Sequence, residues 1–427
     1  MRRAAATTGL AFVTAIGLLA GCTGGATQSS GGNEDTLTYL IGQPEDPEQV
    51  TAIKSQIKKF EKQHPGKHVK LNVMPNDQLR TVLQTQLQSG KGPDIFSYDT
   101  GPGFAGVLAE AGLLYDLSDA YKKNDWPIYD WAKQRVTFGG KVVGVPDQVE
   151  EIGLFYNKDM FAKHGIDEPK NLADLEAGAS KLSNAGVTPI AFSNKEGWEA
   201  GHALSAPLSS AVGPKVMQDL IEGKKSWDSP EVVDAIELFF VDYRKKGFLP
   251  KSPNAITYDN ANALLYKQKA GMTLTGSWLA HDIEKSAEFD VGFMPFPSES
   301  GPGYPAAGLG SGTFVSAKTA NPDLAVKYLD FVQTQEHGKW QVEQMKSIPA
   351  FPVKTDDVQA TPLFRQILDD TSSIASGEGK FGYNIDVLMK QSFNKAMWDG
   401  LQGVLVDQKT PKECAADMAD AYEKPGK

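Results

Sequence analysis

Apolar and polar positions along this chain follow two rhythms, one of period two and one of helical period, and the two alternate. The run TLTYLIG from Thr36 is a short β-type stretch. DPEQVTAIKSQIKKFEKQHPG follows, with Val50, Ile53, Ile57 and Phe60 at helical spacing and lysines between them. Asp46 is placed as N-cap, Pro47 at the first helical position and Gln49 as the partner in a capping box, and Pro65–Gly66 ends the helix. VKLNV alternates Val69, Leu71 and Val73 like a strand. Leu79, Val82, Leu83 and Leu87 mark a second helix, and PDIFSYD is another β run. The alternation returns downstream. VGVP leads into EIGLFYNKDMFAKHG, DSPEVVDAIELFFVDYRKKG reads as a capped amphipathic helix, and AGMTLTG and FDVGFMPFP read as strands. GTFVSAKTANPDLAVKYLDFVQT ends in a helix capped by Asn321 ahead of Pro322. Strands alternating with helices predict an α/β protein built from parallel βαβ units, with somewhat more helix than strand. Ligands of open α/β sheets bind beyond the carboxyl ends of the strands, so the loops after PDIFSYD, VGVP and MTLTG are where a site belongs.

A length of 427 residues exceeds one ordinary core and predicts two domains. With 41% hydrophobic and 22% charged residues the composition is that of a globular protein, and a net charge of -10 without a Lys/Arg block argues against nucleic acid. No internal repeat is visible, which speaks against a solenoid or propeller.

The first residues change the picture. Arg2 and Arg3 precede the apolar run GLAFVTAIGLLAGC, too short to span a bilayer comfortably and suited to a signal-peptide core. It ends in LLAGC, which resembles the lipobox of bacterial lipoproteins, with Leu19, Ala20 and Gly21 before a Cys22 that would be lipidated and become the mature N-terminus. The competing reading is an ordinary secretory signal with an incidental cysteine; position, residue types and the following stretch favour the lipoprotein. Arg2–Arg3 also hints at twin-arginine export. After Cys22, TGGATQSSGGNED reads as a flexible tether, so residues 1–21 are a signal peptide and 22–35 an anchored linker holding a globular body at a membrane without spanning it. Cys414 is the other cysteine, which leaves no disulfide within the mature chain if Cys22 is acylated.

Enzyme signatures are thin. There is no H-E-x-x-H, G-x-S-x-G or C-x-x-C. Pro65–Gly66 separates His64 from His68, GLGSG at 308–312 is not the dinucleotide pattern, and SGKG around Lys91 is not a P-loop. Glu150 and Glu151 are adjacent on a strand and so face opposite ways, which rules them out as an acid/base pair across one glycosidic bond. No catalytic residue, metal or cofactor is expected. What remains is aromatic rings and polar groups at loop ends, the chemistry that stacks on a sugar's C–H face and bonds its hydroxyl rim. Asp99 beside Tyr98, Asp147 with Gln148, Glu150, Trp198 and Trp278 are of that kind. For each of them, packing in the core or a solvated loop is the competing role. Trp278, on the small-residue turn after Gly276 and Ser277, is either a core plug or an offered platform.

The chain resembles the extracellular solute-binding proteins of carbohydrate ABC transporters, the family that includes maltose-binding protein. GKGPDIFSYD, GVPDQVEEIGLFYNKDMFAKHGI, TLTGSWLA and GLGSGTFVSAKTANPDLAVKYLDFV match the family's segments in order, over nearly the whole mature chain. The resemblance implies a type II periplasmic-binding-protein fold of two α/β lobes, residues 36–147 plus 311–347 and 148–310 plus 348–427. Its strand crossings would lie near Asp147–Glu150, Gly308–Thr313 and Ile348–Pro352. It implies a sugar-binding carboxylate at Asp99 and a ligand-binding acid at Glu150, with Asp147 and Gln148 as competitors. It further implies a stacking ring at Trp278 and a close-approach turn beginning at Gly308. Gln43 and Glu45, after the first strand, are weaker carry-overs; Trp198, His202 and Tyr383 rest on residue type and loop context. The implied function is extracytoplasmic capture of a sugar, an oligosaccharide in the first instance, and its delivery to ABC permease subunits by a lipid-anchored monomer at the outer face of the cell membrane. A surface glycoside hydrolase, or a receptor for a glycerophosphodiester, polyamine or iron chelate, is the alternative.

Overall fold

The computed structural model describes residues 35–44, 46–375 and 381–424. The expected leader, Cys22 and its tether, and Glu45 lie outside them.

The first sheet runs in the order His68–Met74, Thr36–Gly42, Ile95–Asp99, Ser311–Val315, Gly144–Pro146. Its first three strands are parallel, joined over the sheet by the helices Pro47–Gln63 and Asn76–Ser89. The helical spacing puts Ile57 and Phe60 of one helix, and Leu79, Leu83 and Leu87 of the other, against the sheet residues Leu37, Ile95 and Phe96. Ser311–Val315 then inserts antiparallel to Ile95–Asp99 and is followed by the helix Pro322–Val332. Asp46 is the N-cap, but Gln49 does not close the expected capping box. The Asp46 carboxylate takes the Glu48 N–H at 2.8 Å, one residue short of that motif, and holds His281 and Lys285 as well. Asn321 likewise stands at an N-cap without capping; its amide donates to the Thr36 carbonyl at 3.0 Å instead.

The second sheet departs from the parallel expectation. Its axis is the ten-residue strand Gln148–Asn157, which is antiparallel to Ala270–Gly276, Val291–Met294, Ala306–Gly308 and Ile348–Pro349. Only Thr188–Ala191 with Ala270–Gly276, and Ala306–Gly308 with Gly382–Tyr383, pair in parallel. A parallel neighbour needs a crossover that returns the chain to the end it left. Here each partner arrives after a long excursion of its own, and the local strand–helix alternation says nothing about the end at which it re-enters. Nine of the ten residues of the axis strand are buried, as expected for a strand covered on both faces.

Apolar side chains gather around each sheet. One cluster holds Leu37, Phe60, Phe96 and Phe314; a larger one holds Leu154, Leu204, Trp227, Phe239 and Phe393; a smaller one beside it joins Phe155, Phe293 and Phe364. The chain passes from the first sheet to the second between Pro146 and Gln148 and returns between Gly308 and Ser311. A helix not foreseen from the sequence, Trp198–Ile221, runs through the second cluster with almost every residue from Glu199 to Ser210 buried. It breaks at Gly213, where φ is 75° just ahead of Pro214. Among the described residues, no helix is long and apolar enough to cross a membrane.

Candidate functional site

A cleft of about 1090 Å³ opens between the two sheets, lined from both. The end of Ile95–Asp99 contributes Tyr98 and Asp99, and the passage between sheets contributes Asp147, Gln148 and Glu150. The turn after Ala270–Gly276 contributes Trp278, the start of the buried helix Trp198 and His202, and the segment after Gly382–Tyr383 adds Asn384, Asp386, Asn394 and Trp398. As the α/β rule requires, Tyr98, Asp99, Asp147, Gln148, Glu150 and Trp278 sit at strand ends and crossovers, and two helices add Trp198, His202, Asn394 and Trp398.

The polar wall is a charge cluster. Arg80 holds Asp99 in a two-point bridge, Nε to Oδ2 at 2.7 Å and Nη2 to Oδ1 at 3.0 Å, a geometry that fixes both groups. Burial pushes Glu150 up to about 8, with the Asp99 and Asp386 charges adding to it and a 2.8 Å bond from Gln148 opposing it. Burial and then Asp99 push Asp386 up to about 7, against the pull of Arg80. Asp147 is raised to about 6 by burial although Ser97 and Thr313 donate to it at 3.2 and 2.8 Å. His202 is pushed down to about 3 by burial and by Arg80, so it is neutral at physiological pH. Gly310 is required beside Glu150: a Cβ there would stand 2.1 Å from Oε2.

The aromatic wall is braced from behind. Trp278 is the middle residue of the single 3-10 turn Ser277–Leu279, and its ring folds back over Gly276, where a Cβ would come within 1.7 Å of Cζ3. Its Nε1 donates to the Tyr258 hydroxyl at 2.9 Å, and that hydroxyl lies 2.7 Å from Thr275 Oγ1. Trp198 packs against Tyr258 with centroids 4.9 Å apart, and His202 lies 5.4 Å from Trp278. Trp278 is half-buried, packed against two apolar clusters on one side and lining the cleft on the other.

Of the residues singled out from sequence, Gln43, Asp99, Asp147, Gln148, Glu150, Trp198, His202 and Trp278 line this one cleft. Gly308 and Tyr383 do not. Gly308 lies in a strand paired opposite Glu150 and packs on Asn384 and Val387, and it is Gly310 that reaches the cleft. Tyr383 is an edge-strand residue whose ring sits beside Phe381. Glu150 and Glu151 do face apart: Glu150 lines the cleft, while Glu151 is buried with the Ser277 hydroxyl on its backbone N–H. Sequence reading passed over Arg80, Tyr258, Asp386, Asn394 and Trp398. Arg80 carried a usable signal, since it lies in the helix just ahead of the strand that ends at Asp99. Asp386, in a loop, and Trp398, in the helix Gln391–Leu405, carried none, because nothing local marks a residue that the chain brings back to the cleft from so far along the sequence. Among the described residues, no group of three or more His, Cys, Asp or Glu could hold a metal ion.

Comparison with known proteins agrees with this geometry. The family described as "Bacterial extracellular solute-binding protein" matches residues 44–339. An uncharacterized ABC transporter extracellular-binding protein of Pyrococcus horikoshii is 32% identical over 299 residues, 67% of this chain and 65% of that relative. That alignment therefore spans just under two thirds of the relative's length. The maltooligosaccharide ABC transporter solute-binding lipoprotein of Streptococcus pneumoniae is 26% identical over 82% of this chain and 80% of its own. Among solved structures, a chitin oligosaccharide binding protein superposes with a TM-score of 0.78 over 91% of this chain and 98% of its own, at 23% identity. That level of identity carries the fold, two α/β lobes with a cleft between them.

Proposed function

The chain belongs to the bacterial extracellular solute-binding proteins, and from that premise we propose that it captures a saccharide, an oligosaccharide in the first instance, and hands it to an ABC permease. One observation carries the reading: a cleft with ring faces on one wall and a fixed set of carboxylates and amides on the other. Trp278 and Trp198 offer flat apolar surfaces to sugar C–H faces, while Asp99, Asp147, Gln148 and Glu150 accept from and donate to hydroxyls. Gln43 stands at the exposed rim. The segments 36–147 plus 311–347 and 148–310 plus 348–427 act as the two lobes. Their closure over the ligand is the signal the permease reads, a shift driven by tighter binding to the closed form. A lipid on Cys22 holds the monomer at the outer face of the membrane. No covalent bond of the sugar is made or broken. A phosphodiester ligand would want free guanidinium or ammonium groups; the cleft's Arg80 is already committed to Asp99.

The test is thermal unfolding of the chain beginning at Thr23, against mono- and oligosaccharides of several classes, since binding to the native state raises the midpoint by mass action. One class is expected to give a shift, and Trp278→Ala to weaken its binding at least about tenfold while the variant stays folded. A shift that survives the substitution would return Trp278 to a packing role and leave the function standing. No shift with any saccharide would sink the reading. Labelled oligosaccharide is expected to be recovered uncleaved; cleavage products would make the protein a hydrolase.

A further inference from the structure

The floor of the cleft is electrically one-sided. Among the described residues, Arg80 is the one Lys or Arg that lines it, and both of Asp99's oxygens occupy that guanidinium. Glu150 and Asp386 are left without a cation of their own, each near enough to the other for its charge to be felt. The neighbouring imidazole does not help: His202 Nε2 is 3.9 Å from Asp386 Oδ2, beyond hydrogen-bond reach, and it is neutral.

A second observation is independent of charge. Asp386 is 5% exposed and Asn394 1%, and both line the cleft; the Asp386 carboxylate meets the Asn384 side chain and the Val387 N–H, yet its Oδ1 and Asn394 Oδ1 have no hydrogen-bond partner. The orientation of the Asn394 amide is set, because its Nδ2 donates to the Asp386 carbonyl at 2.7 Å. The unpartnered atom is therefore its acceptor. Asn384 Oδ1, 3% exposed and on the same wall, is a third acceptor without a donor. Buried acceptors left unmatched are costly, and so is a buried carboxylate without a counter-charge. A hydroxyl offers one donor. A protonated amine offers three, together with the missing charge.

Resting on the saccharide-capture reading above, we infer that this end of the cleft recognises an amine-bearing saccharide, with the ammonium placed among Asp386, Asn394 and Glu150. The rings suit such a ligand as well as they suit a neutral one, since indole faces attract cations. Burial holds Asp386 at about 7 and Glu150 at about 8. Arrival of an ammonium favours the charged carboxylates, so binding near pH 7 releases protons to the buffer.

The test uses matched pairs that differ only in amine against hydroxyl: glucosamine with glucose, galactosamine with galactose, and a β-1,4 glucosamine trimer with the glucose trimer. Calorimetry is run on the chain beginning at Thr23 at about pH 6, where an amine of this type is charged. The amine member of at least one pair is expected to bind about tenfold tighter or better, the range of a buried charge-assisted bond. Titrations in buffers of different ionisation enthalpy are expected to show proton release for that member and none for its hydroxyl twin. Asp386→Asn is expected to erase the preference and to cut the proton release to what Glu150 alone gives, with its unfolding midpoint as the control for folding. Equal or tighter binding of the hydroxyl members overturns the inference, as does a preference that persists in Asp386→Asn. If none of the pairs binds while a neutral saccharide from the wider panel does, the inference falls and saccharide capture stands; binding to neither set overturns both.

Discussion

Glu150 shows how one residue's surroundings set its chemistry. It enters the second sheet with Gly310's backbone against its carboxylate, Gln148 on Oε1 and two further carboxylates nearby. Its folded pKa is about 8, and the ordinary value for a glutamate is 4.5. Above 4.5 the unfolded chain sheds this proton while the folded chain keeps it, so the native state binds more protons. The contribution of Glu150 to stability accordingly falls as pH rises from about 4.5 to about 8, and levels off beyond. Glu150→Gln removes that slope. The variant is expected to gain roughly 2–4 °C in unfolding midpoint over the parent at pH near 8 and little near 4.5. Parallel pH profiles for the two proteins would show that the group titrates normally. The sequence located Glu150 through its place after a short strand, and its pairing of residue type with loop end also found Asp99 and Trp278. It missed Arg80, although the guanidinium sets the charge of the whole wall. Its place in the helix just ahead of the strand that ends at Asp99 was the signal that could have found it.

At the scale of elements, the helices Pro47–Gln63 and Ala280–Ser286 are fastened to each other across the cleft. The first packs on the core that holds Phe60, the second on the core that holds Ile283, and Asp46 joins them. Asp46 receives His281 Nε2 at 2.8 Å and Lys285 Nζ at 3.0 Å while it caps its own helix, and Lys285 also reaches Glu48 at 3.0 Å. Burial works against the Asp46 charge, but the Glu48 N–H, Lys285 and His281 outweigh it and hold the group down at about 2. A depressed acid contributes stability above its unfolded value of 3.8, and that contribution is lost as pH falls toward 2. Asp46→Ala is expected to destabilise the protein by about 1–3 kcal/mol through cap and ion pair together, and Asp46→Asn by less because the amide still caps. Because the contact bridges the cleft, the alanine variant is also expected to weaken ligand binding and to enlarge the solution radius of gyration. Loss of stability with neither change would reduce the contact to a helix cap. Sequence patterning found this helix start and assigned its cap, but gave Gln49 a role in a capping box that does not form.

Among the described residues the molecule buries two large apolar assemblies and a smaller one, with the cleft between its two sheets, so one thiol can report on the integrity of the largest assembly. Cys414, the single cysteine of the chain beginning at Thr23, is fully buried, with its Sγ where a Gly400 Cβ would meet it at 2.6 Å, and burial pushes the thiol up to about 12. Thiolate is the reactive form, so labelling by a disulfide reagent at neutral pH is expected to follow unfolding and to reach its half-point at the denaturation midpoint. Rapid stoichiometric labelling of the native protein would mean that the helix Pro411–Glu423 opens separately.

Period-two and helical patterns of apolar residues determined which segments became strands and helices, because those patterns act over a few neighbouring residues. Pro47, Pro65 and Pro322 marked helix ends for the same local reason. Strand direction in the second sheet was decided only in three dimensions, since the pairing of Gln148–Asn157 depends on the end from which distant segments return. The floor of the cleft was decided there too. Arg80, Glu150 and Asp386 are separated by long stretches of chain and touch the same space only because two cores pack side by side. A sequence can show which residues are suited to meet a ligand; which of them face one another, and which charges are left without a partner, depends on chain closures that no local pattern records.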